Sequence, residues 1–285
     1  MTEMEEEKQK KEPKDTGPDA IDEGFKLLDA AAKGQNITVR DDQYDYYWIA
    51  DAAEMCRKKG FRFRLMDTGR FEKIDLMWLI DSGLDLYTDD QTRKDFTELE
   101  ELVRKCKKEN SIFTYLHTGT FEKEEESESS VFSGLVTIAR IGAYIYVSNR
   151  NDETELAAVH HLAGCCREGN TRLVYYHHGP IEPIFEDIGG QGAWIHITDK
   201  SIDREHLELL RDTCQICHSN GGGLIVHLED EVEYDLVEKL IEVKAHVLFL
   251  YAQFDYKSPF RELEKRVRKR KYDFRAYYLQ HDFFL

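Results

Sequence analysis

The chain has 285 residues, of which 41% are hydrophobic and 33% charged, and its formal net charge is −17. This composition is typical of a folded protein with a real core, and the negative field disfavours nucleic acid and anionic membranes as partners. No apolar run approaches the roughly 20 residues of a membrane span, and the N-terminus lacks the apolar core of a signal peptide. Six cysteines spread over so long a chain are typical of free thiols, so a reducing, cytoplasmic setting is expected.

The first residues, "MTEMEEEKQKKEPKDTGPD", offer almost nothing to bury. We therefore expect a disordered charged tail over 1–24, followed by a single α/β domain over 25–285. A second polar segment, "EKEEESESS" at 122–130, lengthens one copy of an internal repeat and is expected to be a mobile acidic loop.

The domain is built from a tandem repeat. One segment recurs as "LMDTGRFE" (65–72), "YLHTGTFE" (115–122), "YYHHGPIE" (175–182) and, more loosely, "VHLEDEVE" (226–233). A second segment recurs between these copies as "SGLDLYTDD" (82–90), "IGAYIYVSN" (141–149) and "QGAWIHITD" (191–199), with looser copies at 33–42 and 243–251. Each unit is predicted to run strand, short helix, strand, long helix. The long helices are expected to begin after Asp89–Asp90 and after Asp199 or Ser201.

Strands that are separated by helices need crossover connections, which predicts a parallel sheet. Ten strands are expected near residues 37, 62, 84, 112, 143, 173, 194, 224, 247 and 275. In the second strand type one face is nearly pure apolar (Ile37, Leu86, Ile145, Ile195) and should pack on helices. The opposite face is polar and aromatic, whereas the interior of an eight-stranded barrel favours branched apolar residues. The sequence therefore favours an open α/β solenoid of about ten strand–helix units, with a closed (β/α)8 barrel carrying extra strands as the alternative.

Each long helix carries a cysteine shortly before the next strand, as in "ELEELVRKCKKENSIFTYL" (98–116). This arrangement resembles the longer, helix-containing leucine-rich repeats, and in particular their cysteine-containing type. The resemblance covers about 25–285 at the level of architecture. It implies a concave surface that binds a ligand.

The segment "CQICH" (214–218) has the letters of a c-type haem attachment site and the spacing of a redox dithiol or half a zinc site. However, Cys56, Cys106, Cys166 and Cys217 each lie 11 residues before the equivalent positions 67, 117, 177 and 228. A position filled by cysteine in four units is a small apolar contact on the last turn of a helix. Neither haem nor any other cofactor is therefore predicted.

Three further features have structural interpretations. The clusters "GGQG" (189–192) and "NGGG" (220–223) lead from helix into strand, so they are helix C-caps and not phosphate loops. His160 and His161 are adjacent on a helix and cannot chelate one ion together, so one should be partly buried and the other solvated. The basic run "RVRKRKYDFR" (266–275) is expected to be the solvated face of a terminal helix.

Polar residues at strand ends form the candidate catalytic set of the barrel alternative. In a closed barrel they would ring the carboxyl-terminal mouth, where active sites of that fold lie, and His117 with His177 could hold a divalent metal. In an open sheet the same residues are helix caps and loop residues. The set comprises Asp67, His117, His177, Glu229 and Asp230, with His178 and His281 as further candidates.

The polar and aromatic strand face is the candidate binding surface, since clustered Tyr and Trp are typical of interface anchors. Its predicted ligand-binding residues are Arg64, Asp85, Tyr87, Tyr144, Tyr146, Tyr176, His178, Trp194, His196, His227 and His246. The sequence thus predicts a non-enzymatic repeat scaffold that binds a protein or peptide, preferably a basic one, without metal or cofactor. The alternative is a TIM-barrel enzyme, a metal-dependent hydrolase or an isomerase, that uses the strand-end residues.

Overall fold

Strands and helices alternate throughout the residues that the computed structural model describes, which are 18–119, 130–150, 155–198, 201–202, 207–228, 234–242 and 245–249. The strands are β1 (Ile37–Arg40), β2 (Phe63–Met66), β3 (Asp85–Asp89), β4 (Phe113–His117), β5 (Tyr144–Ser148), β6 (Leu173–Tyr176), β7 (Trp194–Thr198), β8 (Gly223–Leu228) and β9 (His246–Phe249). The helices are α1 (Pro18–Lys33), α2 (Tyr46–Lys59), α3 (Lys73–Asp81), α4 (Phe96–Lys108), α5 (Val131–Ile141), α6 (Leu156–Glu168), α7 (Ile184–Gly190), α8 (Leu207–Ser219) and α9 (Tyr234–Glu242).

The strands β1 to β9 form one sheet in chain order, and each strand runs parallel to the next. The α/β class, the parallel sheet and nine of the ten predicted strand positions are therefore confirmed. The tenth position, near residue 275, lies outside the described residues, as does the basic run 266–275.

One face of the sheet packs on the helices. Ile37, Leu86, Ile145 and Ile195 are at most 9% exposed and belong to the main hydrophobic core. The apolar stripe of α4, formed by Leu99, Leu102, Val103 and Cys106, lies in the same core. The alternation of apolar residues along the strands therefore predicted correctly which side of the sheet packs on the helices.

The opposite face, called the strand face below, also buries side chains. Tyr87, Leu116, Val174, Tyr176 and Ile225 are at most 6% exposed, yet they stand outside the core cluster that joins the sheet to the helices. Because alternate residues of a strand point to opposite faces, these side chains make up a second buried layer. The expectation of a strand face open to water was therefore wrong for much of its area.

The long helices end in the same turn in every repeat. The left-handed positions are Gly60 (φ 77°), Asn110 (58°), Asn170 (61°) and Gly221 (81°), each four residues after a buried cysteine. Glycine and asparagine are the residues that tolerate this conformation at a helix C-terminus. The cysteine carbonyls of residues 56, 106, 166 and 217 each accept the backbone N–H five residues on, at 2.8–2.9 Å.

The cysteines are structural in the way the repeat predicted. All six are buried, and burial raises the pKa of Cys217 to about 12, so its thiol stays protonated at neutral pH. A Cβ on Gly189 would lie 2.6 Å from the Cys217 sulfur, which shows how closely α7 and α8 approach here. The two glycine clusters lie at the ends of α7 and α8, as predicted.

The helix starts and the tail boundary differ from expectation. Asp95, not Asp89 or Asp90, caps α4 by accepting the N–H of Thr97 at 2.8 Å. Helix α1 begins at Pro18, inside the predicted tail, because its inward side chains include buried Leu27. Residues 1–17 and most of the acidic insert lie outside the described residues. The last residue of the insert, Ser130, caps α5.

Among the described helices, none combines the length and the hydropathy that a membrane-spanning segment requires.

We expect opposite effects from two glycine substitutions around α6. A Cβ on Gly169 would lie 2.1 Å from the carbonyl oxygen of Ala139. Gly169→Ala should therefore lower the free energy of unfolding by about 1–3 kcal/mol. The matched control is Gly164→Ala, in mid-helix with its nearest neighbour 3.9 Å away, which should raise that free energy by up to about 1 kcal/mol. Urea unfolding measures both, and equal effects would contradict the repeat packing described here.

Candidate functional site

A polar residue follows each of β1, β3 and β5 and ties the next loop in place. Asp41 accepts the hydroxyl of Thr68 and the N–H of Arg70 (3.1 Å). Asn149 accepts the N–H of His178 at 2.7 Å and donates to its carbonyl at 3.0 Å. Each contact crosses from the end of one strand to the loop after its neighbour, so these side chains hold the carboxyl-terminal edge of the sheet together.

Asp90 is the most heavily used of these anchors. It accepts the N–H groups of Thr118 (2.7 Å) and Gly119 (3.0 Å), and its carboxylate lies 2.9 Å from Nδ1 of His117. Burial alone would raise the pKa of Asp90, but the hydrogen bonds from His117 and Thr118 outweigh it and hold the pKa below its usual value. The strand-end histidine His117 therefore supports Asp90, the charged side chain that anchors the loop after β4.

Asp67 occupies the equivalent strand end after β2. Its carboxylate accepts the hydroxyl of Thr88 (2.9 Å) and the N–H of Gly69 (3.0 Å) and pairs with Arg93, which is 8% exposed. Arg93 also pairs with Glu98 and donates to the carbonyl of Phe71 at 2.7 Å. A buried carboxylate so fully bonded is a structural ion pair, and it has no lone pair directed at a substrate.

His177 is held by its own loop. Nε2 lies 2.9 Å from the carbonyl of Pro180, which accepts a hydrogen bond, and Nδ1 lies 3.1 Å from the hydroxyl of Tyr175. The two contacts together are satisfied by the neutral imidazole with its proton on Nε2. Burial lowers the pKa of His177, against a smaller opposing effect of the hydrogen bond to Pro180, so the neutral form is favoured.

The structure does not bring the strand-end set together. His117 ends β4 and His177 follows β6, so β5 separates them and their Cα atoms are at least about 10 Å apart at the usual strand spacing. Among the described residues, no three His, Cys, Asp or Glu side chains are placed to hold one metal ion. Glu229, Asp230 and His281 lie outside the described residues. On α6, His160 is half-buried and His161 exposed, as the helix pattern predicted.

The predicted ligand-binding residues divide by exposure. Asp85, Tyr87, Tyr176 and His196 are 0%, 6%, 5% and 1% exposed, so they cannot act as anchors for a protein partner. His178 is exposed in the loop after β6, and His246 lies in β9, with its side chain outside the described residues. The half-buried members are Arg64, Tyr144, Tyr146, Trp194 and His227.

Three of these side chains form a contiguous ring cluster, here called the Tyr–His–His cluster: Tyr176, His196 and His227. Tyr176 and His196 are direct neighbours on β6 and β7, and their rings stack with centroids 4.1 Å apart. Nδ1 of His196 lies 2.8 Å from Nε2 of His227 on β8. One imidazole donates to the other, so the position of a proton on one ring sets the proton on its partner.

The sequence placed the members of this cluster on one face without revealing their bond. His196 pairs in register with Ile225, and His227 pairs with Thr198, so the two histidines meet diagonally. Sequence reasoning missed Asp41, Asp90, Asn149 and Arg93. The signal for the first three was present, because each immediately follows a strand of the second type.

No family model and no curated protein matches the chain. Solved structures similar to it include deoxyribose phosphate aldolase from Aeropyrum pernix (TM-score 0.31, 8% identity, covering 81% of this chain and 92% of the aldolase). They also include a variant of the tryptophan synthase alpha-subunit from Pyrococcus furiosus (0.32, 11%, 76% and 86%) and D-psicose 3-epimerase (0.34, 11%, 86% and 90%). At these TM-scores the likeness carries nothing about substrate, mechanism or residues.

The predicted non-enzymatic, leucine-rich-repeat-like scaffold is contradicted. The physical reason lies in the burial of the strand face. A protein partner needs exposed anchors, and four of the predicted anchors are at most 6% exposed. The prediction of a protein- or peptide-binding concave surface was therefore wrong.

His177 should make stability depend on pH. Its pKa is lowered in the folded state, so the unfolded chain binds the proton first and stability is lost as the pH falls below the ordinary value of about 6.5. His177→Phe, which keeps the ring beside Phe185, removes this dependence. Urea unfolding at pH 7.5 and 5.5 should show a smaller loss for the variant, by at most about 1.4 kcal/mol per pH unit.

The control for this measurement is His218→Gln, an exposed histidine at the end of α8. It should behave as the wild type does at both pH values. If His177→Phe lost as much stability on acidification as the wild type, the buried neutral imidazole would be contradicted.

Proposed function

We propose that the chain is a barrel-type α/β enzyme that transfers a proton with the His196–His227 pair, and that its reaction class is isomerisation. The observation that supports this most is the 2.8 Å contact between Nδ1 of His196 and Nε2 of His227. Histidine is the residue most often used for proton transfer near neutral pH. A bonded pair on the inner face of a sheet has the geometry of a base and its orienting partner.

The two histidines take different roles because their exposure differs. His227 is half-buried and accessible to a small molecule, whereas His196 is 1% exposed. His227 uses Nε2 in the pair, so Nδ1 is the nitrogen that would meet the substrate. His196 is the positioning residue, and the stacked ring of Tyr176 fixes its plane.

The proposed step needs no external reactant. Nδ1 of His227 takes a proton from the carbon next to a carbonyl, and the C–H electron pair forms the enolate. The hydroxyl proton on that carbon passes to the former carbonyl oxygen, and the imidazolium, whose proton can exchange with solvent, protonates the former carbonyl carbon. The carbonyl group thus moves by one carbon, and the imidazole is neutral again. The buried phenol of Tyr176, whose pKa burial raises, stays protonated and is a neutral hydrogen-bond donor beside His196.

Barrel closure belongs to this proposal. A sheet face without a covering layer leaves its side chains in contact with water. Here Leu116, Val174 and Ile225 are at most 5% exposed and stand outside the helix-facing core. Burial of this kind is expected inside a curved sheet whose strands face one another. It supports a barrel interior over an open concave surface.

The isomerase form of the barrel alternative is preferred over the metal-dependent hydrolase. The hydrolase would draw its ligands from Asp67, His117 and His177. Each of these side chains is already bonded, to Arg93, Asp90 and Pro180 respectively. The Tyr–His–His cluster lies within the strands β6, β7 and β8, on the strand face, and not in these loop contacts.

Proton exchange tests the proposal even though the substrate is unidentified. The full chain is incubated in D2O with a panel of aldoses, ketoses and other hydroxycarbonyl compounds, and loss of the C–H signal is followed by 1H NMR. The wild type should exchange at least one compound, and His227→Gln should slow that exchange by about 10²- to 10⁴-fold. His196→Asn should retain more activity than His196→Ala and alter the pH profile.

His218→Gln serves as the matched control and should exchange at the wild-type rate. Exchange that survives dialysis against EDTA separates this mechanism from the metal-dependent alternative. The proposal fails if no compound in the panel exchanges, or if His227→Gln exchanges as fast as the wild type.

A further inference from the structure

Arg64 has an unusual position for an arginine. It lies in the middle of β2 on the strand face, where its register neighbours are Thr38 on β1 and Asp85 on β3. The residue is half-buried, and its Nε is buried without a hydrogen-bond partner. Nearly all buried polar groups of native proteins are hydrogen-bonded, so a buried donor without a partner calls for an explanation.

The neighbouring carboxylate does not supply the missing acceptor. Asp85 is fully buried and accepts the N–H of Ile112 at 2.8 Å. Its other oxygen forms a 3.4 Å ion pair with Nε of Arg62 but accepts no hydrogen bond. Burial raises the pKa of this carboxyl, while the charges of Arg62 and Arg64 lower it. Two guanidinium groups and one carboxylate therefore share this part of the face, and the group as a whole keeps a charge of about +1 at neutral pH.

Other arginines near the sheet are paired. Arg40, on the same face of β1, lies 3.1 Å from Asp42, and Arg70 lies 3.0 Å from Asp45. Arg93 is bonded to both Asp67 and Glu98. The chain thus supplies carboxylates to its arginines at loops and strand edges, while Arg64 keeps an unused donor on the inner face.

We propose that Arg64 binds the oxyanion group of a small ligand, a carboxylate or a phosphate, on the strand face. The planar guanidinium fork matches the two oxygens of such a group. Because Nε makes no hydrogen bond, the side chain can turn toward the ligand without losing one. The bound oxyanion then satisfies the donor and balances the positive charge shared with Arg62 and Asp85.

The acidic character of the chain does not prevent this binding. A net charge of −17 is spread over the whole sequence, and at physiological ionic strength charges more than about 8 Å away are largely screened. At contact, the charge of Arg64 acts through a few ångströms in a partly desolvated site, where the interaction is several times stronger than in water. The local attraction therefore dominates. This inference rests on Arg64 and not on the His196–His227 pair.

Anion-dependent stabilisation tests the inference. Thermal unfolding of the full chain is measured at fixed pH and ionic strength in chloride, in inorganic phosphate and in malonate. A ligand that binds the folded state raises the Tm with its concentration. We expect phosphate or malonate to raise the wild-type Tm by about 2–4 °C relative to chloride, and the anion that does so identifies phosphate or carboxylate as the group bound.

Three variants test whether Arg64 is the residue that binds the anion. Arg64→Met should lose the anion-dependent rise in Tm. Arg40→Gln, on the same face but paired with Asp42, should keep the rise. Arg64→Lys retains the charge without the fork, so titration calorimetry should show at least tenfold weaker binding of the effective anion.

The inference would be overturned if neither phosphate nor malonate raised the Tm of the wild type. So would an undiminished rise in Arg64→Met. If Arg64→Met does not fold, the affinity of Arg64→Lys decides, and an affinity equal to that of the wild type would overturn it. None of these measurements depends on proton exchange, so the outcome is independent of the proposed isomerase activity.

Discussion

The structure depends above all on one repeated contact, seen after β1, β3 and β5. A side-chain oxygen at the end of the strand accepts N–H or O–H groups from the loop after the next strand. Asp41, Asp90 and Asn149 make this contact at the ends of β1, β3 and β5. The N–H groups of loops at the carboxyl edge of a parallel sheet have no backbone hydrogen-bond partner within the sheet. Hydrogen bonds to the charged carboxylates of Asp41 and Asp90 contribute about 1.5–3 kcal/mol each, and those to the neutral amide of Asn149 about 0.5–1.5 kcal/mol. These side chains therefore stabilise the loops at this edge.

The opposite edge of the sheet is held by cations that reach across to helix ends. Lys107 of α4 donates to the carbonyl of Ile141 at the end of α5 (2.7 Å), and Arg167 of α6 donates to that of Gly190 in α7 (2.9 Å). Helix C-termini leave carbonyls unpaired and carry partial negative charge. A basic residue in the last turn of one helix therefore stabilises the neighbouring helix as well as its own. At both ends of the strands, side chains at repeated positions therefore satisfy backbone groups of the neighbouring unit.

These two edges limit where chemistry can occur. Asp67, His117 and His177 belong to the repeated strand end, and each is occupied by Arg93, Asp90 or Pro180. The polar side chains that the repeat does not use lie on the strand face, above all His196, His227 and Arg64. The groups proposed to be functional are thus those that depart from the repeat pattern, and the groups that follow it are structural.

The fold was more predictable from sequence than the site. Strand positions, sheet direction and the helix-facing residues follow from short apolar runs and their spacing, which are local properties. The cap of α4 was misplaced because Asp89, Asp90 and Asp95 are chemically equal, and only the geometry selects Asp95. Burial of the strand face depends on how far the sheet curves, and the contact of His196 with His227 depends on a diagonal register. Neither is encoded in a local pattern.

Two assignments separate the histidines of this chain: His117 and His177 at the strand ends are structural, and the His196–His227 pair is proposed as the site of proton transfer. Nitrogen-15 NMR of the imidazoles tests both. We expect a scalar coupling across an N–H···N hydrogen bond between His196 and His227, and a His177 imidazole that is less protonated at pH 6 than an unperturbed histidine. Absence of that coupling, together with a fully protonated His177 at the same pH, would contradict both assignments.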